Sequence, residues 1–292
     1  QGGDLDAACR CGMNKSGSKM LIPVSRGISR AKGNIGDTAK EFKDNINNAK
    51  NAALEIDASE KTNTAGDVTP YQKEFLEFSL SLGVLKFGSF VLKSGRTSPY
   101  FFNAGLFSTG AALHKVGKAY AAAIMASQKL TDSAGSVNFD VIFGPAYKGI
   151  SLGAVICAAL YNDYAIDVGF AYDRKEAKDH GEGGKLVGAS MANKRVLVVD
   201  DVITAGTAIR ESHEMLSSIQ AIPVGVVIAL DRAEKRSLDD PVSAVQAVSR
   251  DLNIPVISIV SLPQLQGFLV NNSAYGKELL ASVSEYRSQY GV

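Results

Sequence analysis

Four consecutive apolar residues, Val196, Leu197, Val198 and Val199, run into two adjacent carboxylates, Asp200 and Asp201, and then into the small, hydroxyl-rich loop Thr204, Ala205, Gly206 and Thr207. Few folds accept that order. A short, largely β-branched run with no polar face is a strand covered on both sides, as in a parallel sheet flanked by helices. Ligands of open α/β sheets lie outside the carboxyl ends of strands, so the two acids arrive where a substrate sits. Helical periodicity follows over 208–218, and the free N–H groups at such a helix start attract phosphate. Gly206 and the two threonines leave room for several donors to converge on one anion. Carboxylates touching a phosphate would repel it. A few ångströms away they accept hydrogen bonds from sugar hydroxyls or reach a divalent cation through water. The combination fits a phosphorylated sugar; an Asp N-cap at an ordinary strand end explains one acid better than two.

The same residues resemble the phosphoribosyl-pyrophosphate signature of type I phosphoribosyltransferases. The resemblance implies that Asp200 and Asp201 hold the ribose hydroxyls and that Thr204, Ala205, Gly206 and Thr207 cradle the 5′-phosphate, with Val202, Ile203 and Ala208 completing the segment. This motif names a superfamily and no acceptor base.

The stretch 174–184 narrows it. It lacks apolar periodicity, is dense in charge and ends in glycines, and so reads as an exposed, mobile loop. Arg174, Lys175, Lys178 and His180 offer cationic donors to a pyrophosphate leaving group, and Gly181, Gly183 and Gly184 let the loop swing. Composition alone favours a solvated charged hairpin. In kind and order, however, the residues resemble the catalytic loop of orotate phosphoribosyltransferases. That implies a lid closing over the neighbouring subunit's site, hence a homodimer in which Lys178 and His180 act in trans.

Three further stretches carry the resemblance. Residues 87–103 look like the family's amino-terminal hood, which implies that Lys93 approaches the diphosphate and that Phe101 and Phe102 bound the orotate ring. A flat anionic base does need an aromatic or apolar wall, yet read alone Tyr100, Phe101 and Phe102 are core aromatics. Residues 141–150 repeat the order strand, glycine turn, helix start, and their similarity to the family's pyrophosphate loop makes Tyr147 and Lys148 ligands. Residues 224–231 form another apolar strand pattern, ended by Arg232, where the family holds the orotate carboxylate; without the family a surface Asp231–Arg232 pair is an equal reading. With Phe101, Phe102 and Thr204, Arg232 points to orotate as the acceptor.

The alternation of patterns is coherent from residue 67. Helices are expected over 69–82, 111–128, 150–161, 208–218, 243–252 and 274–290. Strands are expected near 84–86, 90–93, 100–103, 141, 167–172, 196, 224 and 256–260. That order predicts an α/β fold with a mostly parallel central sheet flanked by helices; the resemblance, which covers about 69–290, implies the type I phosphoribosyltransferase fold. A small hood subdomain is expected from 67–105 plus about 262–272. Residues 1–66 are poor in large apolar side chains and read as a low-complexity extension, disordered or partly helical over 37–56. The segment 10–36 carries six basic residues and no acid. Transit peptides share that composition, but a disordered basic tail is the preferred reading.

With 31 basic and 30 acidic residues in 292, nothing argues for nucleic acid or an anionic membrane as partner. No apolar run is long enough to span a bilayer. Cys9, Cys11 and Cys157 form neither a disulfide framework nor a metal pattern, and a reducing, cytoplasmic setting is expected, with organellar targeting left open. Cys157 reads as a packed core thiol and His114 and His213 as surface residues. The resemblance thus implies transfer of phosphoribosyl from phosphoribosyl pyrophosphate to orotate. It implies Mg²⁺ carried in on the diphosphate, with no metal ligand assigned to the protein. Asp200, Asp201, Arg174, Lys175, Lys178 and His180 are the expected catalytic set. A phosphoribosyltransferase for another base and a regulator sensing the sugar diphosphate are the rival readings.

Overall fold

The computed structural model describes residues 40, 43, 66–92, 94–178, 184–237, 240–272 and 275–292. Lys93 and His180 lie outside them, as does the side chain of Lys178. Contacts divide the chain into a unit Gln1–Thr64 and a unit Ala65–Val292, and the elements below belong to the second.

Helix α1 (Pro70–Ser81) leads into a hairpin of β1 (Leu85–Val91) and β2 (Thr97–Phe102), then α2 (Gly110–Met125). The α/β alternation follows as β3 (Val141–Gly144), α3 (Lys148–Tyr164), β4 (Gly169–Lys178), β5 (Gly184–Gly188), β6 (Arg195–Val202), α4 (Thr207–Ser218) and β7 (Ile222–Asp231). A small hairpin, β8 (Lys235–Ser237) and β9 (Asp240–Ser243), precedes α5 (Ala244–Leu252), β10 (Val256–Ser261), α6 (Leu262–Val270) and α7 (Lys277–Tyr290).

Among the described residues the central sheet has the order β10-β7-β6-β3-β4-β5, and every neighbouring pair is parallel except β4 with β5. From β3 the chain moves outward to β4, whereas β6 lies on the other side of β3 and is followed by β7 and β10. The direction of winding therefore reverses between β3 and β6. At such a point the loops leaving the two strands diverge and open a crevice at their carboxyl ends.

The uninterrupted apolar strands are explained by what covers them. Leu197 and Val199 of β6, Ile142 of β3 and Val227 and Ala229 of β7 pack with α1, α2, α3, α6 and α7. Their sequence neighbours Val196, Val198, Val141, Phe143, Val226 and Ile228 pack on the opposite face with α4 and α5. Alternate residues face opposite sides, and both sides are dry, so no position in the run can be polar. The β1–β2 hairpin joins the first of these cores through Leu85, Tyr100 and Phe102. Leu262, Leu265, Phe268 and Leu269 of α6 enter the same core, together with Val283 and Tyr286 of α7.

Three local expectations change. The strands expected near 84–86 and 90–93 are one strand, β1, whose pairing slips between Phe87 and Phe90. A bulge at Gly88 and Ser89 breaks the period-2 pattern and so imitates a chain break. The expected loop beginning at Arg174 is strand as far as Lys178, because β4 continues past the sheet and pairs with β5 as far as Gly184. Its charges had masked the extended backbone, since a ribbon projecting from the sheet needs no apolar face. The β8–β9 hairpin carried no recognisable alternation.

Candidate active site

β3 and β6 are neighbours in register, Val141 opposite Val196, so the turns that follow them meet at one end of the sheet. The turn after β3 is tight: a Cβ on Gly144 would collide with the Gly149 carbonyl, and one on Gly149 would lie 2.7 Å from Pro145 Cδ. Asp173 of β4 braces it by accepting from the Ala146 N–H at 2.6 Å. Tyr147, strongly exposed, and Lys148 open α3. After β6, Gly206 adopts φ +78° and opens α4. In contrast to α2 and α5, whose first turns are capped by the Thr109 and Ser243 hydroxyls, neither α3 nor α4 has a side-chain cap. Both helix starts lie at the crevice: the first N–H groups of α4 have no side-chain acceptor and suit an anion, whereas in α3 the Gly149 and Ile150 N–H groups already donate to the Pro145 and Tyr147 carbonyls at 3.0 and 3.3 Å.

Between them lie the two carboxylates. Asp201 is buried, with its side chain 8% exposed, and accepts a 2.6 Å contact from Lys148 Nζ. Asp200 accepts the Asp201 N–H on its own carboxylate at 2.8 Å, and its carbonyl accepts the buried Tyr120 hydroxyl at 2.7 Å. Burial, reinforced by repulsion from Asp201, pushes the Asp200 carboxyl up to about 6, against the pull of Lys148. Burial first, and the two carboxylates second, push the Tyr120 hydroxyl well above its ordinary value. This pair is held in place at an electrostatic cost, which is what a binding site for hydroxyls or a cation requires. Among the described residues no three His, Cys, Asp or Glu side chains gather as a metal cage.

The remaining predicted residues spread along the same edge. Thr204, Ala205, Thr207 and Ala208 are exposed around the α4 start, whereas Ile203 is buried and Val202 packs against the core, so these two can offer only backbone. Arg174 is half-buried and Lys175 exposed on β4, which borders β3. Arg232 follows β7, which borders β6. It is not a surface ion paired with Asp231. Its Nε donates to Glu234 at 2.8 Å, and its guanidinium stacks 4.4 Å from the Tyr100 ring centre. Phe101 and Phe102 do not form one wall, because successive residues of a strand face opposite ways. Phe101 is 40% exposed and stacks on Phe90 at 5.4 Å, while Phe102 packs against Phe75 and Phe107.

Residues 110–256 match the family model described as the phosphoribosyl transferase domain. An orotate phosphoribosyltransferase of Pseudomonas putida is 53% identical over 223 residues, spanning 76% of this chain and 99% of the relative. The chain belongs to the orotate phosphoribosyltransferase family. A crystal structure of an orotate phosphoribosyltransferase from Francisella tularensis superposes with a TM-score of 0.65 at 44% identity, covering 75% of this chain and all of that one. The UMP synthase of Leishmania donovani aligns with a TM-score of 0.59 at 26% identity, over 99% of this chain and 54% of its own. Membership of the orotate phosphoribosyltransferase family fixes the enzyme class as a pentosyltransferase and the fold as that of type I phosphoribosyltransferases.

Several side chains that brace the site escaped sequence reasoning. Tyr120 sits on a helix face that reads as core, Asp173 lies just before the charged run, Ser98 lies in the hood-like stretch with no role of its own, and Glu234 belongs to no motif. Only the approach of distant elements gives them a role. Cys157 is half-buried in α3, and burial pushes its thiol up to about 12, in keeping with a packed, unreactive sulfur. His114 is exposed and His213 half-buried, and no described helix is long and apolar enough to cross a membrane.

Proposed function

We propose that this chain transfers the phosphoribosyl group of 5-phosphoribosyl 1-diphosphate to orotate, giving orotidine 5′-monophosphate and pyrophosphate. One observation carries the reading: two adjacent carboxylates, Asp201 buried and Asp200 half-buried, and a glycine-opened helix start without a side-chain cap end β6, beside the tight turn that ends β3. Breaking the C1–O bond leaves positive charge on the ribose and negative charge on pyrophosphate. A site complementary to that transition state sets carboxylates against the sugar and cations against the diphosphate. Asp200 and Asp201 accept the ribose hydroxyls, and the N–H groups of 204–208 receive the 5′-phosphate. Tyr147 and Lys148, with Arg174 and Lys175, meet the diphosphate, a side that Lys93, Lys178 and His180 complete. Arg232 takes the orotate carboxylate, Phe101 covers a ring face and the Thr204 hydroxyl meets a ring edge.

Mg²⁺ fits this donor set, because Asp200 and Asp201 place two carboxylates side by side and a cation nearby offsets the repulsion that, after burial, raises the Asp200 carboxyl. When bound on the diphosphate it neutralises the leaving group's charge. In a homodimer the end of the β4–β5 hairpin, with Lys178 and His180, serves the neighbouring subunit.

The decisive assay follows orotate absorbance. Loss is expected only with phosphoribosyl pyrophosphate and Mg²⁺ both present; turnover of adenine, guanine or uracil in its place would overturn the reading. For the trans arrangement, Lys178→Ala and Asp201→Asn proteins, each inactive, are mixed after subunit exchange. Partial recovery is expected, since each hybrid dimer holds one intact site and one that lacks both groups. No recovery rules the arrangement out.

A further inference from the structure

Arg232 does not stand alone at the end of β7. Nε and Nη2 lie 2.8 and 2.6 Å from Glu234 Oε1, and Nη2 donates to the Ser98 hydroxyl at 3.1 Å. None of these contacts uses Nη1. The Tyr100 ring beneath the guanidinium fixes its plane, and Glu234 and Ser98 fix its rotation within that plane. Ser98 is itself oriented, donating to the Tyr100 carbonyl at 2.7 Å.

Glu234 is braced in turn. Its second oxygen lies 3.7 Å from Arg96 Nη1. Arg96 donates to the Lys235 carbonyl at 2.8 Å and lies 4.8 Å from the Tyr290 ring centre. The backbone around it is held from two directions. Asp231 Oδ1 accepts the Ala233 N–H at 2.8 Å, and the Ala233 carbonyl accepts the Val292 N–H at 2.9 Å, next to an antiparallel bridge between Glu234 and Gly291. Ala233 has φ +47°, a conformation that costs a non-glycine residue energy and persists only where its surroundings enforce it. A long, rotamer-rich arginine loses conformational freedom when it captures a ligand, and prior orientation removes that loss. The Glu234 carboxylate thus meets two arginines, each stacked on a tyrosine ring, and accepts the Tyr100 hydroxyl at 3.4 Å, and its nearest partner is Arg232.

We infer that Glu234 is a positioning residue for base recognition: it orients the Arg232 guanidinium for the carboxylate of the acceptor base while touching no substrate itself. The inference rests on the reading of Arg232 as the orotate-carboxylate ligand. It assigns the strap formed by the end of α7 and Gly291 to the same task.

The test is steady-state kinetics of the full chain carrying Arg232→Ala, Glu234→Gln or Ser98→Ala. Glu234→Gln keeps the shape of the side chain and removes its charge. It is expected to raise the orotate KM about tenfold while the phosphoribosyl pyrophosphate KM stays within about twofold. Ser98→Ala should move the same constant in the same direction by less, and Arg232→Ala by more. A Glu234→Gln protein with unchanged orotate KM, alongside an impaired Arg232→Ala protein, refutes the positioning role and leaves the function intact. An unchanged orotate KM in Arg232→Ala removes the underlying reading. Equal rises in both KM values would mean that Glu234 merely holds the fold. Should Glu234→Gln fail to fold, Ser98→Ala decides: no change in its orotate KM refutes the inference.

Discussion

At the scale of single residues, Asp200 is where function and stability oppose each other. Its folded carboxyl is pushed from 3.8 to about 6, chiefly by burial and then by Asp201. The folded chain therefore binds this proton more tightly than the unfolded chain does. Stability from this group is full below about pH 4, falls as pH rises to about 6, and stays reduced above. Asp200→Asn should accordingly stabilise the protein at pH 7.5, by on the order of 1–3 kcal/mol. The Oδ1 that accepts the Asp201 N–H is retained in that variant. Thermal melts at pH 7.5 and pH 5 are expected to show a higher Tm for the variant, with a smaller gain at the lower pH, while turnover falls because the ribose face has lost a charge. A lower Tm at pH 7.5 would contradict this account. That Asp200 and Asp201 end a covered strand was legible from the short run that holds them, and Lys148, singled out by family similarity, does meet Asp201. Tyr120 and Glu234 were not legible, since their partners lie 80 residues away in one case and in a separate strand pair and helix in the other.

At the scale of elements, two strand-turn-helix units depend on glycines for different reasons. At Gly144 the obstacle to a side chain is the Gly149 backbone, which cannot move without dismantling the start of α3. At Gly206 the obstacles are Val248 Cγ2 at 2.5 Å and Arg210 Nη1 at 2.7 Å, ends of side chains that can shift, added to a left-handed φ. Gly144→Ala should cost about 3 kcal/mol in urea unfolding. Gly206→Ala should cost about 1 kcal/mol and raise the KM for phosphoribosyl pyrophosphate in a protein that still folds. The reverse order of stabilities would disprove this. These units were readable in advance because the turn chemistry is local. The bulged β1 and the charged extension of β4 were misread because their pairing partners, not their own periodicity, make them strands.

At the scale of the whole molecule, the catalytic elements all lie in the unit Ala65–Val292. The P. putida relative, matched along 99% of its length, spans only 223 residues of this chain. Gly66 nevertheless packs on α6, where a Cβ on Gly267 would meet its carbonyl, so a cut belongs before Ala65 and not after Gly66. A protein of residues 65–292 is expected to keep its orotate kinetics within about twofold and its Tm within a few degrees, since a segment poor in large apolar residues can bury little surface. A several-fold loss of activity, or a change in oligomeric state by sedimentation, would assign the first 64 residues a role on the catalytic unit.

The sequence by itself determined the covered parallel strands, the two glycine turns that open helices, the acid pair and the enzyme family, because each rests on neighbours along the chain: apolar runs, glycines where backbone crowds, hydroxyls at a helix start. Tertiary structure decided the rest. The sheet order brings the ends of β3 and β6 together. The pleat of β2 sends Phe102 inward while Phe101 stays exposed, and the approach of the hairpin and α7 gives Arg232 its partners in Glu234, Ser98 and Tyr100. These are contacts between elements far apart in sequence, and a local pattern holds no record of which distant backbone will arrive beside it.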